Sequence, residues 1–232
     1  MSSTDSAARG AGILYLIMGL TAVFSYEYVP HTLFMHANAT TAANNIVAHQ
    51  MLFRISIVSE LISVTAFLFL VRALYGLLKG VDKKHASLMV TLVLVSIPIS
   101  FLNVLNEIAV LLLLRGPDFL SVFDKPQLEG MALLFIRLHG QGLFVAQIFW
   151  GLWLFPFGVL VMKSGFIPRF MGVLLILGCF TYIIVSLTWL LLPDYLSAVN
   201  QFATLPEAAA ELPILLWLLI KGPKLQPLAA TA

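Results

Sequence analysis

The stretch Phe53–Leu78 reads FRISIVSELISVTAFLFLVRALYGLL, and between Arg54 and Arg72 its only ionisable side chain is Glu60. About 20 predominantly apolar residues cross the hydrocarbon of a bilayer, so the run predicts a transmembrane helix with one acid inside it. Working outward, comparable runs occupy 10–29, 87–114, 131–162, 168–192 and 205–220. The expected fold class is therefore all-α integral membrane, a six-transmembrane-helix bundle over residues 9–222 with tails 1–8 and 223–232 disordered in the cytoplasm. The fourth run exceeds one crossing, and Pro126 is placed near its helix start, where a missing N–H costs nothing. The sixth is short, about 24 Å at 1.5 Å per residue. Thr204 and Glu207, with Pro206 between them, have the spacing of a capping box for its start. The segment from about 30 to 50 is expected to be a loop, the largest piece outside the membrane and too small to be a domain.

Composition excludes the soluble alternative. Of 232 residues, 60% are hydrophobic and 10% charged, with mean hydropathy +0.99, whereas soluble domains carry about 25% charged residues. A net charge of +2 without a basic cluster excludes a nucleic-acid partner. The single cysteine, Cys179, excludes disulfides within the chain and a cysteine metal site. The run after Arg9 ends without a small-residue cleavage site, so it is expected to be a retained helix and not a signal peptide.

Orientation follows from basic residues. With the N-terminus inside, Arg9, Arg72, Lys79, Lys83, Lys84, Lys163, Arg169, Lys221 and Lys224 fall at cytoplasmic ends. Arg54, Arg115, Lys125 and Arg137 fall opposite, with the acidic loop residues Asp118, Asp124, Glu129 and Asp194. Tyr26, Tyr28, Trp189 and Tyr195 read as aromatic anchors of that outer interface.

Charged groups in a span cost about 2.5–3.5 kcal/mol on insertion scales and usually face protein. In this topology Glu60, Asn103, Asn106, Glu107, Arg137, His139, Gln141 and Glu211 all fall in the outer half of their spans, with Arg54 at the rim. That common depth points to a polar pocket. Glu60, His139 and Glu211 are the candidate acid–base residues, and Arg54, Asn103, Glu107, Arg137 and Gln141 the candidate ligand-binding ones. The alternative for the acids is an ion pair with Arg54 or Arg137 that only locks helices. Ser56, Glu60 and Ser63 share one face of their helix. Gly140, Gln147, Gly151 and Gly158 make a small-residue face suited to close helix contact. Pro98, Pro156 and Pro213 each deprive a carbonyl four residues earlier of its partner.

His31, His36 and His49 in or near the outer loop could assemble a metal site with His139 or Glu60, but no histidine pair has ligand spacing on one helix, so no metal site is expected. No phosphate loop, nucleophile elbow or HExxH motif occurs, and no cofactor is indicated. Asn38-Ala39-Thr40 matches a glycosylation acceptor, a pattern frequent by chance. Three functions fit: binding of a lipid or small apolar ligand with a polar head, with a link to transport; an intramembrane acid–base enzyme acting on a lipid-like or isoprenoid-like substrate; or an assembly protein. The bilayer itself is a partner in each.

Several motifs occur together: Arg9–Gly10–Ala11–Gly12, Leu52–Phe53–Arg54, Leu138–His139–Gly140–Gln141–Gly142, Phe149–Trp150–Gly151–Leu152, Ser164–Gly165–Phe166–Ile167–Pro168–Arg169 and Leu216–Trp217–Leu218–Leu219–Ile220–Lys221–Gly222. In these the chain resembles the bacterial membrane family known as domain of unknown function 4386. The resemblance covers nearly the whole chain. It implies a multi-pass protein of a prokaryotic inner membrane and brings no established activity.

Overall fold

Proline placement explains how the apolar runs become helices. The computed structural model describes residues 3–220, with side chains from residue 7 onward. The helices are α1 (Ser3–Val23), α2 (Val29–Leu33), α3 (Ala39–Ala48), α4 (Gln50–Leu78), α5 (Lys83–Arg115), α6 (Lys125–Leu152), α7 (Leu154–Ser164), α8 (Arg169–Leu191) and α9 (Leu196–Ile220). A π turn, Phe24–Tyr28, joins α1 to α2. Pro30 cannot donate to the carbonyl of Tyr26, and Val29 N–H reaches Phe24 O instead, one residue further back than in an α-helix. At Pro156 the same deficit falls on Leu152, where α6 ends and α7 begins after Trp153.

Six helical segments are long and apolar enough to span a membrane: Ala7–Leu33, Gln50–Leu78, Lys83–Arg115, Lys125–Ser164, Arg169–Leu191 and Pro193–Ile220. In the most apolar window of each, between 22% and 50% of residues are buried. The rest, including Leu20, Phe69, Leu102, Leu177 and Leu205, present exposed apolar side chains. On a soluble protein so much exposed apolar surface would be an association hazard; here it is the lipid-facing surface. No strand occurs among the described residues.

The chain divides into two compact units. Among the described residues the first comprises 3–16, 67–95 and 147–220. Its centre holds Trp153, stacked on Phe157 at 5.2 Å and edge-on to Phe67 at 5.1 Å. Close helix packing is permitted by glycine: a Cβ on Gly158 would meet Gly172 O of α8 at 2.6 Å, and one on Gly151 would meet Tyr182 Cβ at 2.6 Å. Lipid supplies no hydrophobic drive between helices, so such van der Waals fit is what holds them. In the turn before α5, Asp82 accepts from Lys163 Nζ at 2.8 Å and from the backbone N–H groups of Lys84 and His85. These bonds, Lys163 first, hold its carboxyl well below the usual carboxylate range.

The second unit comprises residues 17–66 and 96–146. Val29 and Leu33 of α2, Ile46 of α3, Phe53 and Ile57 of α4, Val104, Val110 and Leu113 of α5, and Ala132 and Ile136 of α6 form its buried apolar core.

Four expectations are corrected. The segment between the first two spans contains the helix α3, whose start Asn38 caps by accepting from Thr41 N–H at 2.8 Å. Thr204 and Glu207 do not cap the last helix. α9 begins at Leu196 and contains Pro206, while the Thr204 hydroxyl donates to Asn200 O. A reciprocal capping pair occurs instead at Asp124 and Gln127, each side chain accepting the other's backbone N–H before α6. Glu129 is a buried residue of α6, accepting from the Thr40 hydroxyl at 2.7 Å, and not a loop acid. Helix α1 starts at Ser3, ahead of the expected end of the N-terminal tail. The expectations for residues 1–2, for Lys221, Gly222 and Lys224, and for the tail 223–232 lie outside the described residues.

Candidate functional site

Within the second unit, three helices each bring an ionisable group to one place. Glu60 comes from α4, Glu107 from α5 and His139 from α6, and all three are buried at 0%, 4% and 8% exposure. His139 Nε2 lies 3.0 Å from Glu60 Oε2 and 4.0 Å from Glu107 Oε2. Each residue offers one ligand-type atom, and the three atoms lie within 4.8 Å of one another. The donor atoms of this set come from three helices and from no histidine pair on one helix.

The surroundings fix these groups. Asn103, one turn before Glu107 on the same face, donates through Nδ2 to His139 O at 2.9 Å. Asn106 Nδ2 in turn donates to Asn103 O and Oδ1 at 3.0 and 3.1 Å. Room for Asn103 comes from Gly142, where a Cβ would sit 2.0 Å from Asn103 Oδ1. Tyr26 of the π turn is hydrogen-bonded to the Glu60 carboxyl and near Glu107. It had been expected to act as an interfacial anchor. The signal that would have found it is Pro30 four residues later, which marks a helix irregularity, a frequent feature of functional sites.

Not all hydrogen-bonding capacity is used. Among the described residues Glu60 Oε1, Glu107 Oε2 and Ser56 Oγ are buried without a hydrogen-bond partner. Leaving such a group unsatisfied costs about 1–3 kcal/mol, more for charged ones.

The other expected residues do not belong to this donor set. Arg54, Arg137 and Gln141 are exposed, and among the described residues neither arginine pairs with an acid. The cluster is thus not the arginine-locked pair considered as the alternative. Glu211 belongs to the first unit, where both its oxygens are used: Tyr15 donates to Oε2, and Tyr182 donates to Oε1 at 3.0 Å. His31 and His36 are exposed, their rings 6.1 Å apart, and Glu27 lies 3.7 Å from His31.

Apolar spanning helices that enclose two carboxyls and an imidazole define the class: a polytopic α-helical membrane protein with a buried ionisable centre. The chain belongs to the family described as domain of unknown function (DUF4386), which matches residues 10–222. No curated protein and no solved structure matches the chain.

Proposed function

We propose that this membrane protein binds a lipid or small apolar molecule through its polar head at Glu60, Glu107 and His139. The observation that supports the reading is the set of buried, unpartnered oxygens on Glu60 and Glu107 beside a histidine from a third helix. Groups that only locked helices together would be saturated, as Glu211 is by its two tyrosines. With the N-terminus cytoplasmic, the cluster lies in the outer half of the membrane, and exposed Arg54 and Arg137 sit toward the same side, suited to an anionic head group. This orientation rests on the Lys/Arg asymmetry. Reporter fusions at residue 120 and at the C-terminus test it: an extracytoplasmic 120 and a cytoplasmic C-terminus are expected, and the reverse would overturn it.

Native mass spectrometry of the protein released from lipid nanodiscs tests the binding. The wild type is expected to retain a ligand that Glu60→Gln and Glu107→Gln lose. Ligand retention by both variants, or a drop in thermal midpoint with no ligand on the wild type, would refute the reading in favour of a structural role.

A second reading, an acid–base enzyme of the membrane, draws on the 3.0 Å His139–Glu60 pair, the geometry of a base oriented by a carboxylate. It predicts a mass change in a lipid extract incubated with wild type and none with His139→Gln.

A further inference from the structure

We infer that Glu60, Glu107 and His139 form a binding site for a divalent transition-metal ion, and that the polar head of the ligand proposed above completes its coordination. This inference rests on that reading for the identity of the fourth ligand only.

The argument begins with charge. Two carboxylates and a neutral imidazole carry a formal charge of −2, in a place where all three are at most 8% exposed. No arginine or lysine pairs with either acid among the described residues. Buried charge must be compensated or given up, and a divalent cation compensates this set in one step.

Geometry agrees. A tetrahedral ion with bonds of about 2.0–2.1 Å has ligand–ligand edges of about 3.3 Å. The imidazole nitrogen stands 3.0 and 4.0 Å from the two carboxylate oxygens, so these two edges need change by less than an ångström, and all three donor atoms lie within 4.8 Å of one another. When the ion binds, the Nε2 lone pair is the ligand and any proton on that nitrogen is released.

The donor types select the metal. One imidazole and two carboxylates suit Zn²⁺, Mn²⁺ or Fe²⁺. The donor group among the described residues is Glu60, Glu107 and His139, so no thiolate belongs to the set. Outer support is present as well: Asn103 holds the backbone of His139, and Tyr26 holds the Glu60 carboxyl. Three protein ligands leave a coordination position open, the arrangement of sites that bind a substrate or water rather than purely structural ones.

The test uses full-length protein in lipid nanodiscs, purified from cells supplemented with Zn²⁺, Mn²⁺ or Fe²⁺ in turn, with metal per chain measured by plasma mass spectrometry. About one ion per chain of the preferred metal is expected. Occupancy should fall roughly tenfold or more in Glu60→Gln/Glu107→Gln, and it should be unchanged in His31→Ala/His36→Ala. X-ray absorption at the metal edge of the wild type requires no variant to fold: nitrogen and oxygen ligands with a single imidazole are expected. Absence of metal from the wild type, a site with two imidazoles, or loss in the His31/His36 variant alone would overturn the inference. A metal-free wild type that still carries its ligand would end the metal site and leave the binding reading standing. A metal-loaded wild type with no further ligand would do the opposite.

Discussion

Gly142→Ala should unfold the acid–histidine cluster from behind. The new Cβ would lie 2.0 Å from Asn103 Oδ1, 2.4 Å from its Cγ and 2.9 Å from its Nδ2. Restoring ordinary contact requires Asn103 to retreat by more than 1 Å. Its 2.9 Å bond to His139 O cannot stretch that far, since interactions beyond about 3.5 Å are no longer hydrogen bonds. The bond from Asn106 to Asn103 Oδ1 is disturbed by the same movement. Each buried group left unsatisfied costs about 1–3 kcal/mol, against a gain of about 1 kcal/mol from replacing glycine by alanine in a helix. With both bonds lost the net expectation is a loss of about 1–5 kcal/mol, or roughly 2–4 °C in thermal midpoint for each kcal/mol in a chain of this size. Gly140→Ala is the control on the same helix: a Cβ there meets nothing within 4 Å, so only the helix-propensity gain should appear. Thermal unfolding in one detergent, followed by intrinsic fluorescence, gives both midpoints. In an Asn103→Ala background the Gly142→Ala penalty should vanish, because its cause is gone. Equal shifts for the two alanines, or a penalty that persists without Asn103, would refute the reasoning.

Tyr15→Phe and Tyr182→Phe each strip one oxygen of Glu211 of its donor, and each should cost about 1–3 kcal/mol. Glu211→Gln in the double-phenylalanine background should recover part of that loss, and thermal midpoints that fail to improve would count against a saturated carboxyl. Asp82 supplies the pH-dependent prediction. Its pKa is depressed in the folded state, chiefly by the bond from Lys163, so its contribution is present above the unfolded value of about 3.9 and fades as pH falls below it. Asp82→Asn keeps the oxygen that caps α5 while removing the charge, so it should lower the midpoint at neutral pH. The difference from wild type should close under acid, and a difference independent of pH would contradict the ion-pair origin.

Spans were legible because hydrocarbon demands an apolar run of fixed length, and that demand leaves its mark on composition. Their ends were less so. Pro206 looked like a start because proline is tolerated in a first turn, yet it also sits within α9, where Thr204 bonds back along the helix. Glu60, Glu107 and His139 stood out because an ionisable group in a span is costly wherever it points. Which of them meet was not readable: depth in a span fixes one coordinate, and Glu211 shows that a similar estimate can belong to a separate group with its own tyrosine donors. Tyr15 and Tyr182 escaped notice, and Tyr26 read only as an interfacial anchor, for a related reason. A tyrosine near an interface looks the same whether its hydroxyl meets water or a buried acid.

The π turn at Phe24–Tyr28 also makes the chain tolerant of an edit that leaves composition almost untouched. Each residue of an α-helix advances the winding by about 100°, whereas the π turn takes one residue more to wind through about the same angle. Losing one residue there would convert the turn to regular winding and leave Val29 and Leu33 facing the core they fill. Such a deletion would disturb the turn itself, Tyr26 included, while both flanks keep their phase.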